Sequence, residues 1–408
     1  MDTKPHKKRI ISLTVKVITT TQSLEALRAD WNNLLANSGN NNLYLSWEWI
    51  HSWCSSMLSP TASPFIVTVR DHKNLIGVAP LVVVVQNNQD KVIQLLGQAY
   101  SYHLGFIALS GHEEETYNAI WNFLFDECNI LFNRIEFIHF GKDTVFDSVL
   151  SNQAAKRNLN IEREIQNPCK VLALPDNYYN YQQYHIPSTN FKRNIIREFR
   201  ILNQGYNVKY FFANKTNFMH YWTELLRLHR EMMEYRNKGS ALKLKSFSLH
   251  LQQVAQIFIE QDKLFLSVME IDQIPAAIQL NIVHNKSYNA LTMGVNYHLI
   301  QKIPNANLTF QSIAFNIKKA IETGCKIFDL GGGHHDYKYK FGGLDTGGVK
   351  LTIHAPPSSG IKQKKQYLIT LLARKIVSYL CSPKYILKSI DTPIQLFKRK
   401  RYFYQNKK

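Results

Sequence analysis

The 408-residue sequence is poor in acidic residues, with 30 Asp and Glu against 49 Lys and Arg. It also has no apolar run approaching the ~20 residues that a membrane-spanning helix requires. The longest run, Leu75 to Val85, has 11 residues and reads as a buried strand. Cysteine is sparse and scattered, at Cys54, Cys128, Cys169, Cys325 and Cys381, with no Cys-x-x-Cys pair. An odd, dispersed set argues against a disulfide framework or a zinc ribbon and fits a reducing cytosol. Lys4, Lys7, Lys8 and Arg9 open the chain, but Lys16 interrupts the apolar stretch behind them and no small-residue cleavage site follows. A secretory signal is therefore not expected. The residues that are present, 45% hydrophobic and 12% aromatic, exclude a disordered or fibrous chain. The length exceeds the ~100–200 residues that one core usually serves. A large, basic, two-domain cytoplasmic protein is the expectation.

The excess charge is localised. Residues 361–408 carry 13 Lys and Arg and one acid, Asp391, for a net +12, so the other 360 residues hold only +7 of the +19. Gln366 to Cys381 has the spacing of an amphipathic helix that Pro383 ends. Beyond Pro393, Lys398-Arg399-Lys400-Arg401 adjoins Tyr402-Phe403-Tyr404. Three readings of this tail stand: a helix packed on the body with a solvated basic end, peripheral contact with an anionic lipid surface, or contact with a nucleic-acid backbone. DNA is not expected as a partner.

The body contains an internal repeat. Strands are predicted at Phe65–Arg70, Ile76–Val85 and Val92–Leu96, a helix over Glu113–Asn129, and a strand at Arg134–Phe140. The same order recurs at Leu264–Glu270, Ile274–Val283, Ser287–Met293, Asn307–Thr323 and Lys326–Leu330, displaced by 192 to 199 residues. Helical sequence precedes each unit: Ser23–Asn37 and Ser46–Met57 in the first half, Asn190–Asn203, Phe218–Arg236 and Phe247–Glu260 in the second. Two α/β modules follow, each a largely antiparallel sheet flanked by helices, at 1–165 and 190–357. Residues 166–189, with Pro168, Pro175 and Pro187, read as a linker.

Three stretches carry a family resemblance. They are Trp31-Asn32-Asn33-Leu34 with Leu45-Ser46-Trp47-Glu48-Trp49; Phe191-Lys192-Arg193-Asn194 with Leu228-His229-Arg230; and Phe328-Asp329-Leu330-Gly331-Gly332-Gly333 running through Tyr337-Lys338 to Phe341-Gly342. Over about 25–345 the chain resembles a double GNAT (acyl-CoA-dependent N-acetyltransferase) fold. More closely, it resembles the CelD/BcsL-type acetyltransferases related to the FemAB aminoacyltransferases. That resemblance implies an α+β chain of two tandem GNAT-like domains, the second holding acetyl-CoA or another acyl-CoA and the first helping to form the acceptor cleft.

Such an enzyme needs a pyrophosphate dock, commonly a helix N-terminus with free N–H groups. Gln301, Asn305, Ala306 and Asn307 are the candidates, although Pro304 stands where the GNAT loop has its first glycine. Gly331–Gly333 is no dinucleotide fingerprint, because Asp336 occupies the third glycine position and the run ends a strand. Among the residues that follow, His334 or His335 is a candidate proton acceptor, with Asp336 as base or orienting group. The resemblance gives Tyr337 the role of protonating a leaving thiolate and Lys338 that of contacting anionic substrate or a polarised carbonyl. Lys338 and Lys340 share a side if 337–341 is extended. Asp329, Lys192 and Arg193 complete the substrate candidates, Asp329 also as a structural acid pairing Lys338. No metal site is expected, since no third ligand stands at a suitable spacing.

The leading expectation is acyl transfer from acyl-CoA to an amine or hydroxyl, by direct attack. A small acceptor, a sugar or a lipid-linked intermediate of envelope polysaccharide synthesis, follows from the family likeness. The alternatives are transfer from an aminoacyl-tRNA and a non-catalytic scaffold of the same fold at a membrane.

Overall fold

Residues Ala276–Ile282 are buried along their whole length, which suits a strand covered on both faces. Their strand, Ile274–His284, sits inside a seven-stranded sheet of order Val208–Phe212, Leu264–Ile271, Ile274–His284, Ser287–Val295, Ile327–Gly332, Cys169–Ala173, Leu344–Asp345. Two tight turns set its register. Asp272-Gln273 and Asn285-Lys286 all take positive φ, the backbone twist that matches a two-residue hairpin. This computed structural model describes residues 13–86, 90–128, 131–166, 169–333 and 335–354. The 361–408 tail and His334 lie outside the described residues.

One junction of the sheet is parallel. Ser287–Asn289 pairs with Ile327–Asp329, joined by the crossover helix Leu308–Glu322, and there the pairing stops. Beyond Asn289 and Asp329 the two strands diverge and leave a wedge between them. Asn316 fastens the crossover helix to the sheet: its amide donates to Ser267 Oγ (2.8 Å) and Gln279 Oε1 (3.0 Å) and accepts from Tyr288 Oη (2.9 Å). Polar groups this deep are tolerated because they satisfy one another.

The first repeat has the same order. Val92-Ile93 pairs in parallel with Arg134-Ile135 across the helix Glu113–Asn122. Here the expected strand Ile76–Val85 is divided. Pro80 has no N–H for the ladder, so Asn74–Ala79 stays in a four-stranded sheet while Leu81–Val85 enters a six-stranded one. The expected helix Glu113–Asn129 is α-helical only to Asn122 and continues as a π turn, Phe123–Glu127.

The expected linker at 166–189 is corrected by the sheet pairing. Cys169–Ala173 is a strand of the second sheet, antiparallel to Ile327–Gly332. In exchange, Gly348–His354 leaves the second half and pairs with both Arg134–Gly141 and Ile161–Gln166 in the first. Each half lends the other a strand, so 190–357 is not a self-contained module. Proline and asparagine content suggested a linker; main-chain hydrogen bonding decided otherwise. The halves also share a core. Helix Trp47–Ser56 packs on Lys245–Glu260, with the Trp49 and Trp53 rings 4.6 and 5.1 Å from His250. Burial drops the His250 pKa to about 3, which keeps the ring neutral. The described residues, 13 to 354, accordingly fall within one compact unit.

Candidate active site

The wedge between the parting strands opens into a pocket of about 840 Å³. Ala290–Met293 forms one wall and Leu330–Gly332 the other, with Phe310 and Ile313 from the crossover helix and His229 from helix Phe218–Tyr235. Tyr44 and Tyr102 close it from the first half of the chain, so the pocket belongs to both repeats.

Gly332 is where the halves meet most tightly. A Cβ at this position would lie 2.0 Å from the Tyr102 hydroxyl, so only glycine admits the tyrosine. Tyr102 is held there from behind. Trp49 donates its indole N–H to Ser101 Oγ (2.9 Å), and Ser101 Oγ would in turn crowd a side chain at Gly97. The aromatic motif Trp47-Glu48-Trp49 therefore acts on the site at one remove, through the loop it anchors.

Lys338 fills the other side of Gly331 and Gly332. The expectation of an extended 337–341 is corrected: Asp336–Lys340 is a short helix. Helical rotation separates residues two apart by about 200°, so Lys338 is buried while Lys340 is exposed and outside the pocket. The Lys338 ammonium donates to Gly331 O (2.8 Å) and Gly332 O (2.6 Å). Burial pulls its pKa down to about 8, opposed by the nearby Cys169 and Asp329. At neutral pH it is a buried cation pinned by two carbonyl oxygens beside a solvent-filled pocket.

Asp329 does not pair with Lys338 in the manner expected. One carboxylate oxygen accepts from the Gly331 N–H (2.7 Å), and the other lies 3.1 Å from His103 Nε2, on the first-half loop. It therefore joins the two repeats directly beneath the pocket.

His335, Asp336, Tyr337 and Lys338 all line the pocket. His335 stacks on Tyr337 (5.8 Å between ring centres), and Tyr337 lies 6.3 Å from Phe310. The His335 pKa is lowered by partial burial and by the cations Lys338, Lys238 and Arg236. Arg236 and Lys238 are pocket-lining cations that sequence reading missed, because neither falls in a motif.

The other missed residue is His229. Its Nδ1 lies 2.8 Å from Met293 O, and a carbonyl only accepts, so Nδ1 carries the hydrogen. Burial, with help from Arg236, lowers its pKa, so the ring is neutral and Nε2 keeps its lone pair. The Leu228-His229-Arg230 motif contained this residue, but nothing in sequence spacing placed it across the wedge from Lys338.

The pyrophosphate candidates fare less well. Asn307 caps the crossover helix, its side chain accepting from the Phe310 N–H (3.1 Å), and it lines the pocket. Gln301 and Asn305 are exposed and Ala306 is buried, and none of the three lines the pocket. A carboxylate already sits at the helix start: Glu198 Oε2 accepts from the Asn307 N–H (3.1 Å) and from Gln311 Nε2 (3.4 Å). Helix N-termini favour negative charge, and here the chain supplies its own. The loop 301–307 therefore does not fit a pyrophosphate as built. Lys192 donates to Gln183 Oε1 (2.9 Å) and Arg193 is exposed, both outside the pocket.

A repeated β-β-β-α-β unit with a parallel, splayed strand pair and a cleft at the splay defines the tandem GNAT-like fold. Comparison with known proteins agrees. Residues 189–339 match the family model described as an acetyltransferase (GNAT) domain. A crystal structure of FemX superposes with a TM-score of 0.56 at 9% identity, covering 83% of this chain and 96% of that one. A conserved protein of unknown function from Bacteroides thetaiotaomicron VPI-5482 gives 0.52 at 10% identity, covering 84% and 100%. At such identities the likeness speaks for the fold alone. No curated protein matches the chain by sequence. Among the described residues no helix is long and apolar enough to cross a membrane.

Proposed function

We propose that the protein is an acyltransferase that moves an acetyl or other acyl group from acyl-CoA onto an amine or hydroxyl of a small acceptor. The observation that carries this reading is the pairing of a buried cation, Lys338, with a neutral acceptor, His229, on opposite sides of the wedge. An acyl carbonyl held between them meets a positive charge where its oxygen gains charge in the transition state. The attacking amine or hydroxyl meets a lone pair, His229 Nε2, able to take its proton. Met293 O fixes the tautomer that leaves Nε2 free for this work. The phenols of Tyr102 and Tyr337 are pushed above the usual tyrosine range by burial, Tyr102 to about 12, so both stay protonated. They are the donors available to a leaving thiolate. Arg236 and Lys238 offer positive charge to the donor's phosphates in place of the helix start. The CelD/BcsL-type assignment, and an envelope-polysaccharide acceptor with it, are the finer part of this proposal.

One observation favours a second reading, transfer from an aminoacyl-tRNA. The Glu198 carboxylate occupies the helix start that a CoA pyrophosphate would use. Calorimetric titration with acetyl-CoA, free CoA and aminoacyl-tRNA separates the donors. Saturable binding of acetyl-CoA is expected. Binding of aminoacyl-tRNA without any CoA species would replace the first reading with the second, and binding of neither would leave a scaffold.

A further inference from the structure

Three chain segments distant in sequence bring unlike metal-binding groups together under Gly331. His103 comes from the first-half loop, Cys169 from the exchanged strand and Asp329 from the strand Ile327–Gly332. A ligand atom of each lies within 4.8 Å of both others. Cys169 and Asp329 are buried, whereas the His103 side chain is 26% exposed and opens a path from solvent.

Each of the three is set by a local departure from regular backbone. His103 adopts φ +54°, a left-handed conformation rarely taken by a non-glycine residue, and Asn42 Nδ2 fixes it by donating to His103 O (2.9 Å). Cys169 stands at a bulge, opposite Gly332, where the register between its strand and Ile327–Gly332 shifts before Val171. Asp329 is oriented by the N–H of Gly331, which takes φ +70°. Backbone irregularities at His103, at Cys169 and two residues past Asp329 thus converge on one point.

We propose that His103, Cys169 and Asp329 form a divalent-cation site, with zinc the favoured ion. An imidazole, a thiolate and a carboxylate are the donor types zinc accepts in tetrahedral sites, and the thiolate disfavours magnesium and calcium. The hydrogen bond from Gly331 N–H to Asp329 supplies the outer-shell support that ligating carboxylates show. With bond lengths of ~2.0–2.3 Å, ligand atoms within 4.8 Å of one another can close around one ion by small side-chain adjustments, in which His103 Nε2 and Asp329, now 3.1 Å apart, exchange their hydrogen bond for bonds to the metal. Without an ion, burial and the Asp329 charge keep the Cys169 thiol protonated, against the pull of Lys338 and Lys170. A cation takes the place of that proton, which leaves to solvent as the sulfur–metal bond forms. None of the three ligands is among the residues lining the pocket, although Cys169 and Asp329 lie close enough to Lys338 to act on its charge; metal binding itself does not depend on the proposed acyl transfer.

The test uses the full chain with zinc or cobalt(II) alone. Inductively coupled plasma mass spectrometry after dialysis against zinc should find about one equivalent bound. Cobalt(II) should give the near-ultraviolet thiolate-to-metal charge-transfer absorption. Cys169→Ser should abolish that absorption, and Asp329→Asn should weaken cobalt binding about tenfold or more, the scale at which even outer-shell partners act. Cys325→Ser should leave it unchanged. Circular dichroism verifies that each variant is folded, and Asp329→Asn carries the test if Cys169→Ser is not. Folded wild-type protein that binds neither ion, or a charge-transfer band that survives in Cys169→Ser, overturns the proposal and leaves His103 and Asp329 as a dyad joining the repeats.

Discussion

The two repeats share a topology down to a single backbone angle, yet one is filled and the other is open. Gly331 takes φ +70°, and His139, 192 residues earlier, takes φ +57° at the corresponding place on its strand. The next residue differs decisively. In the first repeat it is Phe140, packed 4.2 Å from Phe146 and 6.0 Å from Phe106 in a cluster that also includes Phe137. In the second it is Gly332, and the volume that a side chain would take is used by the Tyr102 hydroxyl and bordered by a pocket. One fold thus yields a structural half and a candidate catalytic half. The difference lies in what stands after the left-handed residue.

Substitutions in each half test that contrast, in descending order of expected effect. Emptying the filled half, by Phe140→Ala, should cost ~3–5 kcal/mol of stability, the usual range for a buried Phe truncation. Donor affinity of the folded protein should be unchanged, so denaturant melts should shift while calorimetric binding does not. In the open half the pattern should invert: Lys338→Met should lower kcat by ~10²–10³-fold, with a denaturation midpoint near that of the wild type. A melt shifted as far as that of Phe140→Ala, with kcat intact, would make Lys338 a structural lysine.

His229→Ala should cost ~10²-fold in kcat, more than His335→Ala, because His229 has its tautomer fixed and His335 does not. The same pair predicts the pH profile. His229 works as the neutral ring and its pKa is lowered, so activity should rise with pH through a value below the ordinary ~6.5. Lys338 works as the cation with a pKa of about 8, so activity should fall as pH rises through that value. Lys338→Arg, if active, should lose the alkaline limb. The smallest effect is reserved for geometry: Gly332→Ala should lower kcat about tenfold by displacing Tyr102. Adding Tyr102→Ala to it should cause no further loss. Strict additivity of the two would show that Tyr102 and Gly332 do not act through one contact.

Much of this was legible in residue order. The repeat showed in its offsets, and His335, Asp336, Tyr337 and Lys338, singled out from the sequence, line the pocket. The misses have a common physical origin. Cys169–Ala173 was read as linker because strand exchange is decided by which edge offers unpaired N–H and C=O groups, a property of the assembled sheet. Lys340 was grouped with Lys338 because five residues carry too little periodicity to separate strand from helix. His229, Arg236 and Lys238 were missed because a helix crossing the sheet brings them to the wedge. Glu198 falls in no motif, although its carboxylate takes the helix start assigned to phosphate.

Hydrophobic periodicity and turn chemistry, which act between near neighbours, determined the α+β class, the duplication and the glycine-rich strand end. Tertiary structure alone decided that the wedge stays open at Gly332 and that Lys338 is pinned over it. It also decided that His103, Cys169 and Asp329 meet beneath the wedge. The Tyr102–Gly332 contact and the His103–Cys169–Asp329 cluster join residues tens to hundreds of positions apart, where chain order carries no distance information and packing supplies it. Lys338 reaches carbonyls only six and seven residues away, but which way its short segment turns is again set by packing.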